Sequence, residues 1–119
     1  MTANANELIA RYFDAFNRHD LDGVLACFHP DATIVGSDGS RYDGLDAVRA
    51  VYLEQFAITP DGRCDLRAVV LTTTGTEAES LFQGTRARDG RVIRAVGVER
   101  FEFSGGRIKE MHVSHRPAP

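Results

Sequence analysis

The chain has little that would tie it to nucleic acid, a membrane or a metal. No run of lysine or arginine builds a basic patch, and the net charge is -3. Electrostatics therefore gives no case for a nucleic-acid partner. No apolar stretch approaches the roughly 20 residues needed to cross a bilayer, so no membrane partner is expected. The segment Met1 to Asn6 has no basic region followed by an apolar one, so no secretory leader is expected. Only two cysteines occur, Cys27 and Cys64, too far apart for a metal knuckle. Two cysteines without a framework fit a reducing compartment, and a cytoplasmic location is expected. Cys27 lies in the apolar run Val24 to Phe28 and reads as a small core residue. No histidine and carboxylate cluster has metal-ligand spacing in sequence, so no metal is expected. No glycine-rich phosphate loop or dinucleotide fingerprint occurs, and no cofactor is expected.

What is present suits one domain over residues 1–119 with a single core, since 43% of the residues are hydrophobic. The first half reads as helices. Leu8, Ile9, Tyr12, Phe13 and Phe16 recur at helical spacing and predict a first helix that stops near Asn17 to His19. Asp20 is a suitable N-cap for a short helix over Leu21 to Phe28, ended by Pro30. Ala32 to Val35 is a short β-prone run, and Ser37 to Ser40 reads as a turn. Leu45, Val48, Val51, Tyr52 and Phe56 mark a third helix, closed by Pro60 to Gly62. The second half reads as strands near 64–74, 76–88, 91–103 and 107–116. Asp89-Gly90 predicts a two-residue hairpin turn, and Ser104 to Gly106 another turn. Helices followed by antiparallel strands argue α+β, with a strongly curved sheet enclosing a cavity against the helices.

One residue stands out. On the strand 91–103, side chains alternate between two faces. Ile93, Ala95, Gly97, Glu99, Phe101 and Phe103 share one of them, so Glu99 sits on the more apolar face. Burying an unpaired carboxylate is costly, and a raised pKa or a dedicated partner relieves the cost. A carboxyl held protonated in an apolar cavity can donate a hydrogen bond or a proton. The alternatives are a strand whose faces are reversed, or an acid paired with an arginine. Arg86, on the same face as Phe82 and Gly84, is the arginine that would supply such a pair.

The stretch Arg11 to Thr33, which runs from RYFDAFNRHD through CFHPDAT, resembles the opening of the ketosteroid isomerase-like family. So does the closing stretch Gly97 to Met111. That family shares the nuclear transport factor two fold with SnoaL-like polyketide cyclases. The resemblance implies a cone-shaped, antiparallel-rich sheet packed by three N-terminal helices around a deep apolar pocket. It implies that Tyr12 is an oxyanion-hole tyrosine, and that Glu99 takes the place of a neutral carboxylic acid supporting the same oxyanion. A carboxylic acid kept neutral by its apolar site is an established device in ketosteroid isomerase. It further implies that Tyr52 hydrogen-bonds the catalytic tyrosine. The pattern breaks at Gly36, where the family's general base would be an aspartate. Asp38, two residues on, faces the cavity if the segment stays extended, or solvent if it forms a turn.

His115 shares a face of the last strand with Met111 and Val113; it reads either as a frayed, exposed histidine near the chain end or as a neutral imidazole acting as a base near pH 7. His112 falls on the opposite face. His19 and His29 lie at expected helix ends and read as structural. The expected catalytic set is thus Tyr12, Glu99, Asp38 and His115. Tyr52, Phe82, Arg86, Phe101, Met111 and Val113 are expected to line the substrate pocket. The chemistry these residues suggest is cofactor-free proton transfer on an apolar, carbonyl-bearing small molecule: isomerisation of an enone or cyclisation of a polyketide-like chain. The alternatives are hydrolysis or dehydration in the same pocket, or a non-catalytic binding or dimerisation domain. The resemblance also implies a homodimer.

Overall fold

The computed structural model describes residues 4–73 and 75–118. The helical spacing at the N-terminus becomes α1 (Ala5–Asn17), capped by Asn4, whose side chain accepts from Glu7 N. Its buried face carries Leu8, Ile9, Tyr12, Phe13, Ala15 and Phe16. The helix ends in a Schellman arrangement: His19 N donates to Phe16 O, and Asp20 N to Ala15 O. His19 takes the left-handed position, at φ 52°, that glycine usually fills. Tertiary contacts hold it there. Its ring stacks on Phe56 at 4.6 Å, and Nε2 lies 2.7 Å from Gly62 O.

Asp20 then caps α2 (Leu21–Ala26), accepting from Gly23 N at 3.0 Å. The helix is shorter than its sequence suggests, because Phe28 already begins β1 (Phe28–Val35). Pro30 therefore lies inside a strand, and His29 belongs to that strand rather than to a helix end. The proline is tolerated because register between β1 and its neighbour shifts between Phe28 and Thr33, so its missing N–H costs no ladder bond. After the turn at residues 37–40 comes a short strand, β2 (Arg41–Asp43), then α3 (Leu45–Ile58). Three residues are too few for periodicity to register, and β2 is absent from the sequence reading.

Four long strands follow: β3 (Arg63–Thr72), β4 (Gly75–Thr85), β5 (Val92–Ser104) and β6 (Arg107–Pro117). Residue 74, the expected end of β3, lies outside the described residues. The β4–β5 hairpin closes at Arg86 N to Arg91 O, so its loop has four residues, 87–90, rather than two. Gly90, at φ 72°, supplies the left-handed step. All strands join one sheet in the order β2-β1-β6-β5-β4-β3. Only β1 and β6 run parallel. The sheet curls without closing. α1 packs on its β3 end and α3 on its β1–β2 end, with α2 bridging the two helices.

The gap between the β3 edge and the helices is closed by one side chain. Asn17 Nδ2 donates to Cys64 O, and Asn17 Oδ1 accepts from Cys64 N, both at 2.8 Å. The amide thus acts as a one-residue strand partner for β3. Its removal would leave a half-buried N–H and C=O unpaired, at a cost of about 2 kcal/mol. Asn17→Ala should therefore lower unfolding free energy by about that amount, as read from urea titration. A change under about 0.5 kcal/mol, the level of an ordinary surface substitution, would show that the clasp is dispensable.

Candidate active site

The curled sheet and the helices leave a cavity of about 540 Å³. α1 contributes Tyr12 and Phe16, and α3 contributes Tyr52 and Gln55, with Thr59 at its C-cap. The inward faces of β4, β5 and β6 form the opposite wall. They contribute Ser80 and Phe82, then Ala95, Gly97 and Glu99, then Met111, Val113 and His115. The strand alternation holds: Glu99 is 7% exposed and lies on the inward face. It stands between Ala78 and Val113 on the neighbouring strands, and neither offers it a charge. Glu99 Oε2 is buried and has no hydrogen-bond partner among the described residues. Burial pushes its pKa up from the ordinary carboxylate range to about 7. The carboxyl therefore keeps its proton in mild acid and begins to lose it near pH 7.

Tyr12 lies at the centre of the core. Its ring makes edge or tilted contacts with Phe13, Phe16, Phe28, Tyr52 and Phe101, at centroid distances of 5.0–6.4 Å. Its hydroxyl meets that of Tyr52 at 2.6 Å, and both residues are buried. Two hydroxyls carry two protons but share one hydrogen bond, so one O–H remains to be donated elsewhere. Burial raises the pKa of both tyrosines, and the nearby Glu99 charge adds to each rise. Both stay protonated donors.

The other two candidates lie at the mouth. Asp38 lines it but is exposed, in the turn, with its carboxylate accepting from Ser40 N at 2.9 Å. That bond holds its pKa below the usual carboxylate range. The same carboxylate folds back over Gly36: a Cβ there would lie 3.3 Å from Asp38 Oδ1. His115 sits at the open end of β6, opposite Gly97. Partial burial lowers its pKa, which keeps the imidazole neutral near pH 7.

Two expected pocket residues are elsewhere. Arg86 is outside the cavity, because the four-residue hairpin loop turns it towards Asp89, whose Oδ1 is 2.9 Å from its Nε. It does not pair with Glu99. Phe101 is fully buried behind Tyr12, stacked on Phe103, and supports the wall rather than forming it. The sequence reading also missed Ser80, which is 1% exposed and has the same inward parity as Ala78 and Phe82. It missed Cys64, whose thiol burial pushes up to about 12. Sheet pairing also makes a cluster that spacing did not suggest. Glu102, Glu110 and His112 bring their ligand atoms within 4.8 Å of one another on the outer face. His112 Nε2 is already engaged there, 2.6 Å from Glu110 Oε1.

The fold has many counterparts among solved structures. IdmH of Streptomyces antibioticus, a proposed polyketide cyclase, is 21% identical, with TM-score 0.82 over 95% of this chain and 92% of that one. A proposed SnoaL-like polyketide cyclase of Jannaschia sp. CCS1 is 16% identical, with TM-score 0.83 over 92% and 83%. A protein of ketosteroid isomerase-like fold from Catenulispora acidiphila, solved with trimethylamine, is 12% identical, with TM-score 0.82 over 93% and 86%. These likenesses establish the fold. The SnoaL-like domain family matches residues 9–111, nearly the whole of the chain. With that match, and with a fold shared with those neighbours, the chain belongs to the SnoaL-like family of the nuclear transport factor two-like fold.

Proposed function

We propose that the chain is a cofactor-free enzyme that moves a proton on an apolar, carbonyl-bearing small molecule, by enone isomerisation or polyketide-type cyclisation. The observation that carries this reading is the buried carboxyl of Glu99, with Oε2 unpartnered, beside the Tyr12–Tyr52 pair in one apolar cavity. Both are preorganised donors in a largely apolar site, as stabilisation of a developing enolate oxygen requires. The proton is taken at the mouth. His115 is the better base at neutral pH, being uncharged there, whereas the Ser40 N–H draws basicity from Asp38. Asp38 remains the carboxylate that stands in front of Gly36. Phe82, Met111 and Val113 supply apolar contact. No helix among the described residues is long and apolar enough to cross a membrane. A homodimer formed across the outer face of the sheet belongs to the same proposal, and Val70, 55% exposed on that face, supports it.

The assay is conversion of a β,γ-unsaturated ketone to its conjugated isomer, followed by ultraviolet absorbance. Loss of one oxyanion donor in Tyr12→Phe should cut kcat by about 10²–10³-fold with a small change in melting temperature. His115→Ala should cost about 10²-fold or more, and Asp38→Asn much less; the reverse order would make Asp38 the base. No turnover of such ketones, together with no binding of a polyketide mimic, would leave a non-catalytic binding domain.

The state of Glu99 has its own signature. Its folded-state pKa lies above the unfolded value, so the folded protein holds the proton more tightly between pH 4.5 and about 7. The resulting stabilisation is complete below pH 4.5 and is lost as pH rises to about 7, beyond which it is flat. The loss amounts to roughly 3 kcal/mol. Glu99→Gln lacks it, so the variant should gain on the wild type in urea unfolding between pH 5 and 8. Parallel stability curves would mean that Glu99 is charged and compensated throughout.

A further inference from the structure

The cavity holds a second unpartnered polar group that the donor pair does not use. Ser80 Oγ is buried and makes no well-formed hydrogen bond among the described residues; only the Cys64 thiol, a weak partner, interacts with it. Ser80 and His115 flank Gly97 on the two neighbouring strands, in direct register. Glu99 is two residues on along the same face. The three side chains converge on the space that a side chain at position 97 would occupy. A Cβ there would lie 3.2 Å from Glu99 Oε1, 3.4 Å from Ser80 Oγ and 3.7 Å from His115 Cδ2. A buried hydroxyl without a partner costs stability, and a roomy polar site next to it takes either a water or a ligand oxygen.

We infer that the floor over Gly97 is a second oxygen subsite, and that the natural ligand carries a hydroxyl there in addition to the carbonyl held by Tyr12. The inference rests on the reading of the cavity given above. The chemistry of the three groups selects a hydroxyl. Ser80 offers one donor and spare acceptor positions, Glu99 Oε1 offers an acceptor on the side away from the proposed oxyanion, and the imidazole of His115 offers ring nitrogens. A group that both donates and accepts, such as an alcohol, phenol or enol, satisfies such a seat. The ligand class is therefore a hydroxyketone or an enolised dicarbonyl on an apolar frame. Ser80 is the residue that sets this specificity, and Gly97 is the residue that leaves room for it. Ser80 needs no bond to the reacting atoms for that role.

The test uses 1-tetralone and its 5-, 6- and 7-hydroxy forms, with dissociation constants read by calorimetry. The positional series removes any need to know the spacing between the two oxygens. At least one hydroxytetralone should bind wild type tenfold or more tighter than tetralone. That preference should fall below twofold in Ser80→Ala, with the melting temperature equal or higher. Gly97→Ala, whose methyl fills the seat, should also abolish the preference. A preference that survives Ser80→Ala, or no preference in wild type, overturns the subsite and leaves water as its occupant. If tetralone binds and Tyr12→Phe weakens it, such a failure falls on the subsite alone. If no tetralone binds at all, the reading of the cavity fails and the subsite fails with it.

Discussion

The hydrogen bond between the hydroxyls of Tyr12 and Tyr52 joins the two long helices across the molecule. α1 and α3 lie at opposite ends of the curled sheet, and this 2.6 Å contact is where their buried faces meet over the cavity. Around it, Phe16, Phe28 and Phe101 close the space from the core side. The ring of Tyr12 therefore has no freedom to turn its hydroxyl towards solvent. Its oxygen must face either its partner or whatever fills the cavity. A fold requirement, filling the angle between sheet and helices with aromatic rings, has thereby fixed a polar atom at the cavity wall. The rings supply the apolar stabilisation, and the shared bond keeps two hydroxyls from being orphaned.

The same desolvation acts on the titratable groups set into the cavity wall and moves each towards its neutral form, whereas exposed Asp38 at the mouth is held ionised by the Ser40 N–H. Desolvation raises Glu99 and both tyrosines and lowers His115. One physical cause thus produces two protonated phenols, a carboxyl that holds its proton up to about pH 7, and one unprotonated nitrogen base, the division of labour that proton transfer near neutral pH needs. Unpartnered Glu99 Oε2 and Ser80 Oγ carry a stability penalty that a fully apolar wall would not. Two such groups on adjacent strands, facing one space, mark that part of the wall as shaped for something other than stability.

Much of this was legible in the sequence. Strand alternation alone put Glu99 inside, because a period of two leaves no freedom once Phe101 is buried. The stripe on α1 was equally plain, and the resemblance of the opening and closing segments supplied the curled sheet around a pocket. The misses have physical reasons. Parity put Arg86 on an inward face, but the strand ends at Thr85 and the longer hairpin loop carries the guanidinium away to Asp89. Phe101 has inward parity too, yet Tyr12 stands between it and the cavity, and depth is not encoded in alternation. Pro30 ended a helix on paper, whereas a register shift in β1 accommodates it within a strand. Ser80 was readable by parity, but a small polar residue attracts no attention until its lack of a partner is seen.

The donor and acceptor ends of this site obey different constraints. Tyr12, Tyr52, Glu99 and Ser80 are held by core packing or by the centre of the sheet, where a shift of one residue would reverse a whole face. The proposed proton acceptors lie nearer the rim. Asp38 lies in a turn bounded by Gly36 and Gly39, and His115 lies on an exposed stretch near the end of β6. A rim residue can be exchanged without disturbing the core, since the turn tolerates substitution that the sheet does not. An aspartate at position 36 and an aspartate at position 38 aim at nearly the same space, as the 3.3 Å approach of Asp38 Oδ1 to the missing Cβ of Gly36 illustrates. In the proposed reading the base can therefore sit at different points of the rim, while Tyr12 and Glu99 stay where the fold requires them. That asymmetry is what would let the proposed donor groups coexist with a glycine at position 36.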